Sequence, residues 1–228
     1  MHNRVVVITG ASIGIGRDTA LCFADAGCRL VLTYYEHRAE AQEVAAHCRA
    51  LGSPDVLVAS LQLADDESIR ALVEGAVERF GAVDILVNNA GIVVWRPFVE
   101  QDLNEIETQL AVNLQGVMKL TWAFLPMIND AVITIGSTAT LHRSRTPATY
   151  CASKWGLRGF VKALALEHPD KRIVSIHPPM TATRMNEYEG VPPARVAEVV
   201  AAVGAGLIAV EPGGDIDVRE YIRVEGER

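Results

Sequence analysis

The segment R-V-V-V-I-T-G-A-S-I-G-I-G, Arg4 to Gly16, decides the fold. Its first half is an unbroken β-branched run, the pattern of a strand covered on both faces. Its second half carries Gly10, Gly14 and Gly16 in the spacing G-x-x-x-G-x-G, and a helix-like stretch begins at Ile15. A strand that turns through glycine into a helix brings free backbone N–H groups and the positive helix end to one point, where an anion can approach closely. The plainer reading is a glycine-rich turn that binds nothing. The position between an apolar strand and a helix favours a dinucleotide pyrophosphate.

Working outward, strand-like runs at 4–9, 29–33, 55–60, 84–88, 131–136, 173–177 and 216–224 alternate with helix-like stretches at 15–26, 38–51, 66–80, 102–125, 149–166 and 193–210. Such alternation implies parallel pairing through right-handed crossovers. The expected fold is a single α/β domain over residues 1–228: a doubly wound parallel sheet of about seven strands with helices on both faces. The chain has 228 residues, half of them hydrophobic, enough to bury a large core. A net charge of −7 argues against nucleic acid as a partner. No apolar run reaches the ~18 residues of a membrane span, so no membrane association is expected. Cys22, Cys28, Cys48 and Cys151 have neither C-x-x-C nor zinc-like spacing. They read as free thiols of a cytoplasmic protein, and no metal is predicted.

The second strand-like run ends in T-Y-Y-E-H-R, Thr33 to Arg38. An acidic residue there would accept the adenosine ribose hydroxyls and repel a 2′-phosphate. Thr33 and Tyr34 stand in its place, and Arg38, His37 and Arg17 are candidates to pair a 2′-phosphate. Glu36 opposes this if it points inward, and residues 36–38 read equally well as solvating a helix start. The preferred cofactor is NADP(H), with NAD(H) the alternative.

In T-Y-C-A-S-K-W-G, Tyr150 and Lys154 are four residues apart, and Leu157, Val161 and Leu164 continue the same helical stripe. Lysine in an apolar stripe either snorkels to the surface or acts where it lies. A cation held near a phenol favours the tyrosinate, and together with a positive nicotinamide ring it would bring a pKa of ~10 toward ~7. A tyrosine so tuned exchanges protons near neutral pH. Ser137, at the end of a strand-like run, is placed to bond the same substrate oxygen, or else is an ordinary strand-end cap.

Together T-G-A-S-I-G-I-G, N-N-A-G (Asn88 to Gly91), Ser137 and Tyr150-Cys-Ala-Ser-Lys154 resemble the short-chain dehydrogenase/reductase superfamily over about residues 4–183. The resemblance implies a Rossmann-type fold and hydride transfer between a nicotinamide cofactor and a carbonyl or secondary alcohol. By the same resemblance Tyr150 is the general acid/base. Lys154 lowers its pKa and holds the nicotinamide ribose, Ser137 orients the substrate oxygen, and Asn113 holds a water of the proton relay. Gly10, Ser12, Ile13, Gly14, Ile15 and Gly16 would meet the pyrophosphate. Tyr34 and Arg38 would meet the ribose, Gln62 and Leu63 the adenine, and Asn89, Ala90 and Gly91 the adenosine side. Thr181 and Thr183 would contact the carboxamide and pyrophosphate. Three positions depart from the pattern: Gln62 replaces an aspartate, Ile13 a basic residue, and Pro179 the glycine after Pro178, where it removes an N–H.

The substrate pocket is expected from residues 93–95, 138–149 and 180–191, with a shallow site because residues 185–192 are short for a lid. His142, Arg143 and Arg145 either recognise an anionic substrate group or solvate a loop. Two rival functions are a nucleotide-sugar epimerase or dehydratase, disfavoured by glycine spacing and length, and a non-catalytic dinucleotide sensor. By analogy with the family, helices 102–125 and 149–166 would pack against copies of themselves in a homodimer or homotetramer.

Overall fold

Along β1 (Val5–Ile8) successive side chains point to opposite faces of the sheet, and all four are buried. Val6 and Ile8 enter one core with Phe23, Leu32, Ile133 and Val200. Val5 and Val7 enter the other with Leu120, Phe124, Leu157 and Val161. The β-branched run is therefore the signature of a sheet with helices on both sides. The computed structural model describes residues 1–142 and 145–222.

The remaining strands are β2 (Arg29–Tyr34), β3 (Val56–Ser60), β4 (Val83–Asn88), β5 (Ile128–Ile135), β6 (Arg172–His177) and β7 (Asp215–Asp217). All pair in parallel, in the order β3-β2-β1-β4-β5-β6-β7. The chain winds outward from β1 to β3, then returns to the other side of β1 at β4. Helices α1 (Gly14–Asp25), α2 (Arg38–Ala50), α3 (Asp66–Phe80), α4 (Leu103–Leu110), α5 (Val117–Phe124), α6 (Ala148–Glu167) and α7 (Pro193–Gly204) make the crossovers. Reversal of winding between β1 and β4 opens a crevice beyond their C-terminal ends, where ligands bind in such sheets.

Three elements differ from the sequence reading. The stretch 102–125 is not one α-helix, because a π-helical segment, Ala111–Gly116, separates α4 from α5. It turns Asn113 inward, where the side chain brackets Ile92, accepting from its N–H at 2.8 Å and donating to its carbonyl at 2.7 Å. The last helix stops at Gly204 rather than at 210. Gly206, at φ +73°, closes it with bonds from its own N–H to Val203 O and from Leu207 N–H to Ala202 O. The last strand spans Asp215–Asp217 only, because the Asp217 side chain accepts the Arg219 N–H and starts a short turn. Residues 223–224 of the expected strand lie outside the described residues.

Gly116 lets the π segment pass the loop after β3: a Cβ there would lie 2.3 Å from the Leu63 carbonyl oxygen. Gly116→Ala is expected to lower unfolding stability by about 1–3 kcal/mol, measured by urea titration.

Candidate active site

A cleft of about 660 Å³ runs across the C-terminal ends of the strands. At one end the turn after β1 is pinned on both sides. Thr33 Oγ accepts the Gly10 N–H at 3.2 Å, while the Asn89 amide donates to Thr9 O at 2.8 Å and to Gly10 O at 3.2 Å. Gly10 and Gly14 have φ near +60°, a conformation that favours glycine. Gly16 serves packing: a Cβ there would lie 2.2 Å from Gly10 O. Helix α1 begins without a side-chain cap and without an acidic residue in its first turn. Its first N–H groups therefore face the cleft without a carboxylate or hydroxyl from their own helix, and a pyrophosphate fits this cradle.

At the other end α6 and the end of β5 bring three groups to one wall. Lys154 is 4% exposed, and its ammonium donates to the Ile135 carbonyl at 2.8 Å and lies 5.7 Å from the centre of the Tyr150 ring. Tyr150 and Ser137 line the cleft together, and the Ser137 side chain is near enough to pull the phenol's pKa down. Lys154 thus does not snorkel. It is anchored under the sheet edge, facing the tyrosine.

The chain from Met180 to Val191 crosses the mouth. Backbone bonds Ala182 N–H to Val191 O and Val191 N–H to Met180 O tie its base. The Trp95 indole N–H donates to Met185 O at 2.6 Å, and Arg184 contacts His37.

The expected site residues fall as follows. Gly10, Ser12, Ile13, Gly14, Ile15, Tyr34, Gln62, Leu63, Asn89, Ala90, Gly91, Ser137, Tyr150, Lys154, Thr181 and Thr183 line the cleft. Gly16 lies behind it. Arg38 is exposed at the start of α2 and outside the lining, and Arg17 is paired with Asp18 at 2.8 Å, also outside. Asn113 is fully buried beside the cleft, its amide held by Ile92 and, at 3.3 Å, by Ser153 Oγ. Pro179 lines the wall and keeps the loop in place through its carbonyl, which accepts the Thr181 hydroxyl at 2.8 Å. Of the expected substrate pocket, Val93, Trp95, Thr138, Ala139, Thr146, Met180 and Met185 line the cleft and Val94 does not. His142 turns away to Asp217, Arg145 is exposed outside the lining, and Arg143 lies outside the described residues.

Arg184 lines the cleft within the expected stretch 180–191, but beside His37; sequence reasoning missed Tyr35 in the same lining, and Thr9, whose hydroxyl accepts the N–H groups of Asn89 and Ala90 at 2.9 Å each. The T-G and N-N-A-G motifs flanked that contact, but nothing in the spacing joined them. Among the described residues no three His, Cys, Asp or Glu side chains gather to hold a metal ion.

Burial dominates the charges. It pushes the Tyr150 phenol up to about 12, against the lowering effect of Ser137. It pushes the Lys154 ammonium down to about 8. The pair as folded therefore departs from the expected near-neutral phenol: each group is driven toward its uncharged form.

The family model described as short chain dehydrogenase matches residues 4–191. The trans-4-hydroxycyclohexanecarboxylate dehydrogenase of Sinomonas cyclohexanicum is 34% identical, over 86% of this chain and 81% of that protein. The 3-oxoacyl-[acyl-carrier protein] reductase of Brucella melitensis, solved with NAD, superposes with a TM-score of 0.87 at 25% identity, over 96% of each chain. The alcohol dehydrogenase of the archaeon Thermococcus sibiricus, solved with 5-hydroxy-NADP, gives a TM-score of 0.87 at 25% identity, over 100% of this chain and 99% of that one.

A lysine whose pKa falls from ~10.4 in the unfolded chain to about 8 in the fold destabilises the fold once charged. The cost is absent above the unfolded pKa, grows as pH drops toward about 8, and is complete below it. Lys154→Met is expected to raise the stability of the ligand-free protein at neutral pH by about 1–2 kcal/mol. Its advantage over the wild type should vanish between about pH 8 and 10.4 in urea titrations.

Proposed function

The chain belongs to the short-chain dehydrogenase family and is an NAD(P)-dependent oxidoreductase that interconverts carbonyl and alcohol groups, and from that premise we propose that Tyr150 moves the proton of this reaction. One observation carries the reading: the Tyr150 phenol, the Ser137 side chain and the Lys154 ammonium meet on one wall of the cleft, level with the strand ends. When bound, the dinucleotide supplies or receives the hydride. Tyr150 gives its proton to the forming alkoxide, or takes the alcohol proton in the reverse direction. Ser137 bonds the same oxygen and fixes its distance from the phenol. Lys154 would stabilise the tyrosinate once it forms and would hold the ribose of a bound nicotinamide, and Asn113, wedged between Ile92 and Ser153, steadies the inner end of the proton path.

Gly10, Ser12, Ile13, Gly14 and Ile15 would hold the pyrophosphate, together with Thr181 and Thr183 of the same cleft. Tyr34, Gln62, Leu63, Asn89, Ala90 and Gly91 border the adenosine. The favoured dinucleotide is NADP(H), supported by the guanidinium of Arg184 and the ring of His37, which at that end of the cleft stand against the Glu36 carboxylate that also lines it. The substrate is a small neutral ketone or secondary alcohol, supported by the apolar lining of Val93, Trp95, Val112, Ala139, Pro179 and Met180. The relatives favour neither a nucleotide-sugar epimerase nor a non-catalytic dinucleotide sensor.

The protein works as a homodimer or homotetramer. Support comes from Met118 and Trp122, one turn apart on α5, and Trp155 and Leu166 on α6, all exposed large apolar side chains. A cytoplasmic setting is supported by four free cysteines. No helix among the described residues is long and apolar enough to cross a membrane.

Nicotinamide-fluorescence titration is expected to give a lower Kd for NADPH than for NADH, followed by turnover on a panel of cyclic and linear ketones. Tyr150→Phe is expected to reduce kcat by about 10²–10⁴ while the cofactor Kd stays within a few-fold. A phenylalanine variant with full activity would remove Tyr150 from the mechanism.

A further inference from the structure

Ser137 stands where β5 ends, and the turn that presents it rests on a buried imidazole. His177, at the end of the neighbouring strand β6, is fully buried and does not reach the cleft. Its Nδ1 lies 3.3 Å from the Ser137 backbone N, 3.1 Å from the Ser137 carbonyl oxygen and 3.1 Å from Thr140 Oγ. Its Nε2 lies 2.9 Å from Asp215 Oδ1 on β7. The contact is close enough to dictate the residue before the serine: a Cβ at Gly136 would lie 2.6 Å from His177 Nδ1.

The ring's proton has a determined place. Asp215 Oδ2 accepts two bonds from the Arg158 guanidinium, at 3.0 and 2.7 Å, and lies 2.9 Å from the Lys162 ammonium. Burial alone would raise this carboxyl, yet the bonds from Arg158, Lys162 and His177 hold it far below the usual carboxylate range. An ionised Asp215 needs a donor, so Nε2 carries the hydrogen and Nδ1 offers a lone pair. Thr140 Oγ already donates to the Ser137 carbonyl at 2.9 Å, which leaves the Ser137 N–H to Nδ1. Arg158 braces the same turn from outside through a bond to Thr140 O at 2.8 Å.

We propose that His177 is a positioning residue for the reaction: its Nδ1 lone pair holds the Ser137 backbone so that the Ser137 hydroxyl meets the Tyr150 phenol, and Asp215 selects the tautomer that can do so. The assignment rests on the reading of Ser137 as the group that orients the substrate oxygen. Two amide substitutions separate the two ends of the ring. His177→Asn would place an amide near the position of Nδ1, within reach of Ser137 but not of Asp215. His177→Gln would place one near the position of Nε2, within reach of Asp215, and would leave the Ser137 N–H unpaired.

The experiment measures kcat, KM, cofactor Kd and melting temperature for His177→Gln, His177→Asn, Ser137→Ala and the double variant His177→Gln/Ser137→Ala. His177→Gln is expected to lower kcat about tenfold or more with cofactor Kd nearly unchanged, since small misplacements of a reacting group are costly. His177→Asn is expected to recover kcat to within about threefold of wild type, and His177→Gln to add less than about twofold in the Ser137→Ala background. Equal losses in the two amide variants, or losses that multiply in the double variant, would reduce His177 to a packing residue and overturn the assignment. A Ser137→Ala protein with wild-type kcat overturns the underlying reading of Ser137 instead, and the assignment falls with it. If His177→Gln yields no folded protein, Asp215→Asn asks the same question with the ring in place. Arg158 and Lys162 would keep the amide oxygen, the amide N–H would face Nε2, and the ring proton would move to Nδ1 against the Ser137 N–H. A fall in kcat supports the assignment, and wild-type kcat in Asp215→Asn overturns it.

Discussion

One hydroxyl joins the two halves of the sheet. Thr9 Oγ, just beyond β1, accepts the N–H groups of both Asn89 and Ala90, just beyond β4, and the Asn89 amide returns to Thr9 O and Gly10 O. The β1–β4 ladder ends at Ile8 and Val87, and one more backbone bond, Thr9 N–H to Val87 O at 3.0 Å, leads into this tie. Without a tie at that point nothing would hold the glycine turn and the N-N-A-G loop against the same crevice. With it, a Cβ on Gly10 would lie 3.2 Å from Ala90, and one on Gly16 would lie 2.2 Å from Gly10 O. The glycines of this motif thus answer to two pressures. Gly10 and Gly14 supply left-handed backbone, and Gly16 supplies the absence of a side chain between helix and strand.

The electrostatics of the reacting wall show how desolvation competes with pairing. A lysine beside a tyrosine suggests an acidified phenol, yet the ammonium is itself stripped of water and bonded to one carbonyl. Moving both groups out of water raises the phenol and lowers the ammonium, and a neighbour 5.7 Å from the ring centre does not reverse either shift. Lys154 is better seen as a charge stored at a cost in stability and placed to act on whatever anion forms beside it. The trade is of the kind that separates stability from activity in enzyme sites.

Much of this was legible in the chain. The strand–glycine–helix reading of 4–16, the alternation of strands and helices and the stripe from Tyr150 to Leu164 follow from local periodicity, and the structure repeats them closely. What escaped was set by contacts distant in sequence. The apolar pattern of 102–125 continues without a break through the π segment, because the reason for that segment is the backbone of Ile92. Basic groups beside β2 were sought at Arg38, His37 and Arg17; of these only His37 lines the cleft, and Arg184 joins it from the loop after β6. His177 drew no notice, since a histidine ending an apolar strand carries no motif, and only β5 and β7 on either side give it partners.

Asp215 reaches the site late in synthesis. The glycine turn, the stretch around Gln62 and N-N-A-G all lie within the first 91 residues, on strands β1 to β4, which pair with one another. The serine turn at 137 leans on His177, and His177 leans on a carboxylate in the last strand of the sheet. A chain leaving the ribosome therefore gains the surface that receives a nucleotide long before it gains the brace behind its reacting wall. The brace thus comes from the edge strand of the sheet, the last strand in the chain.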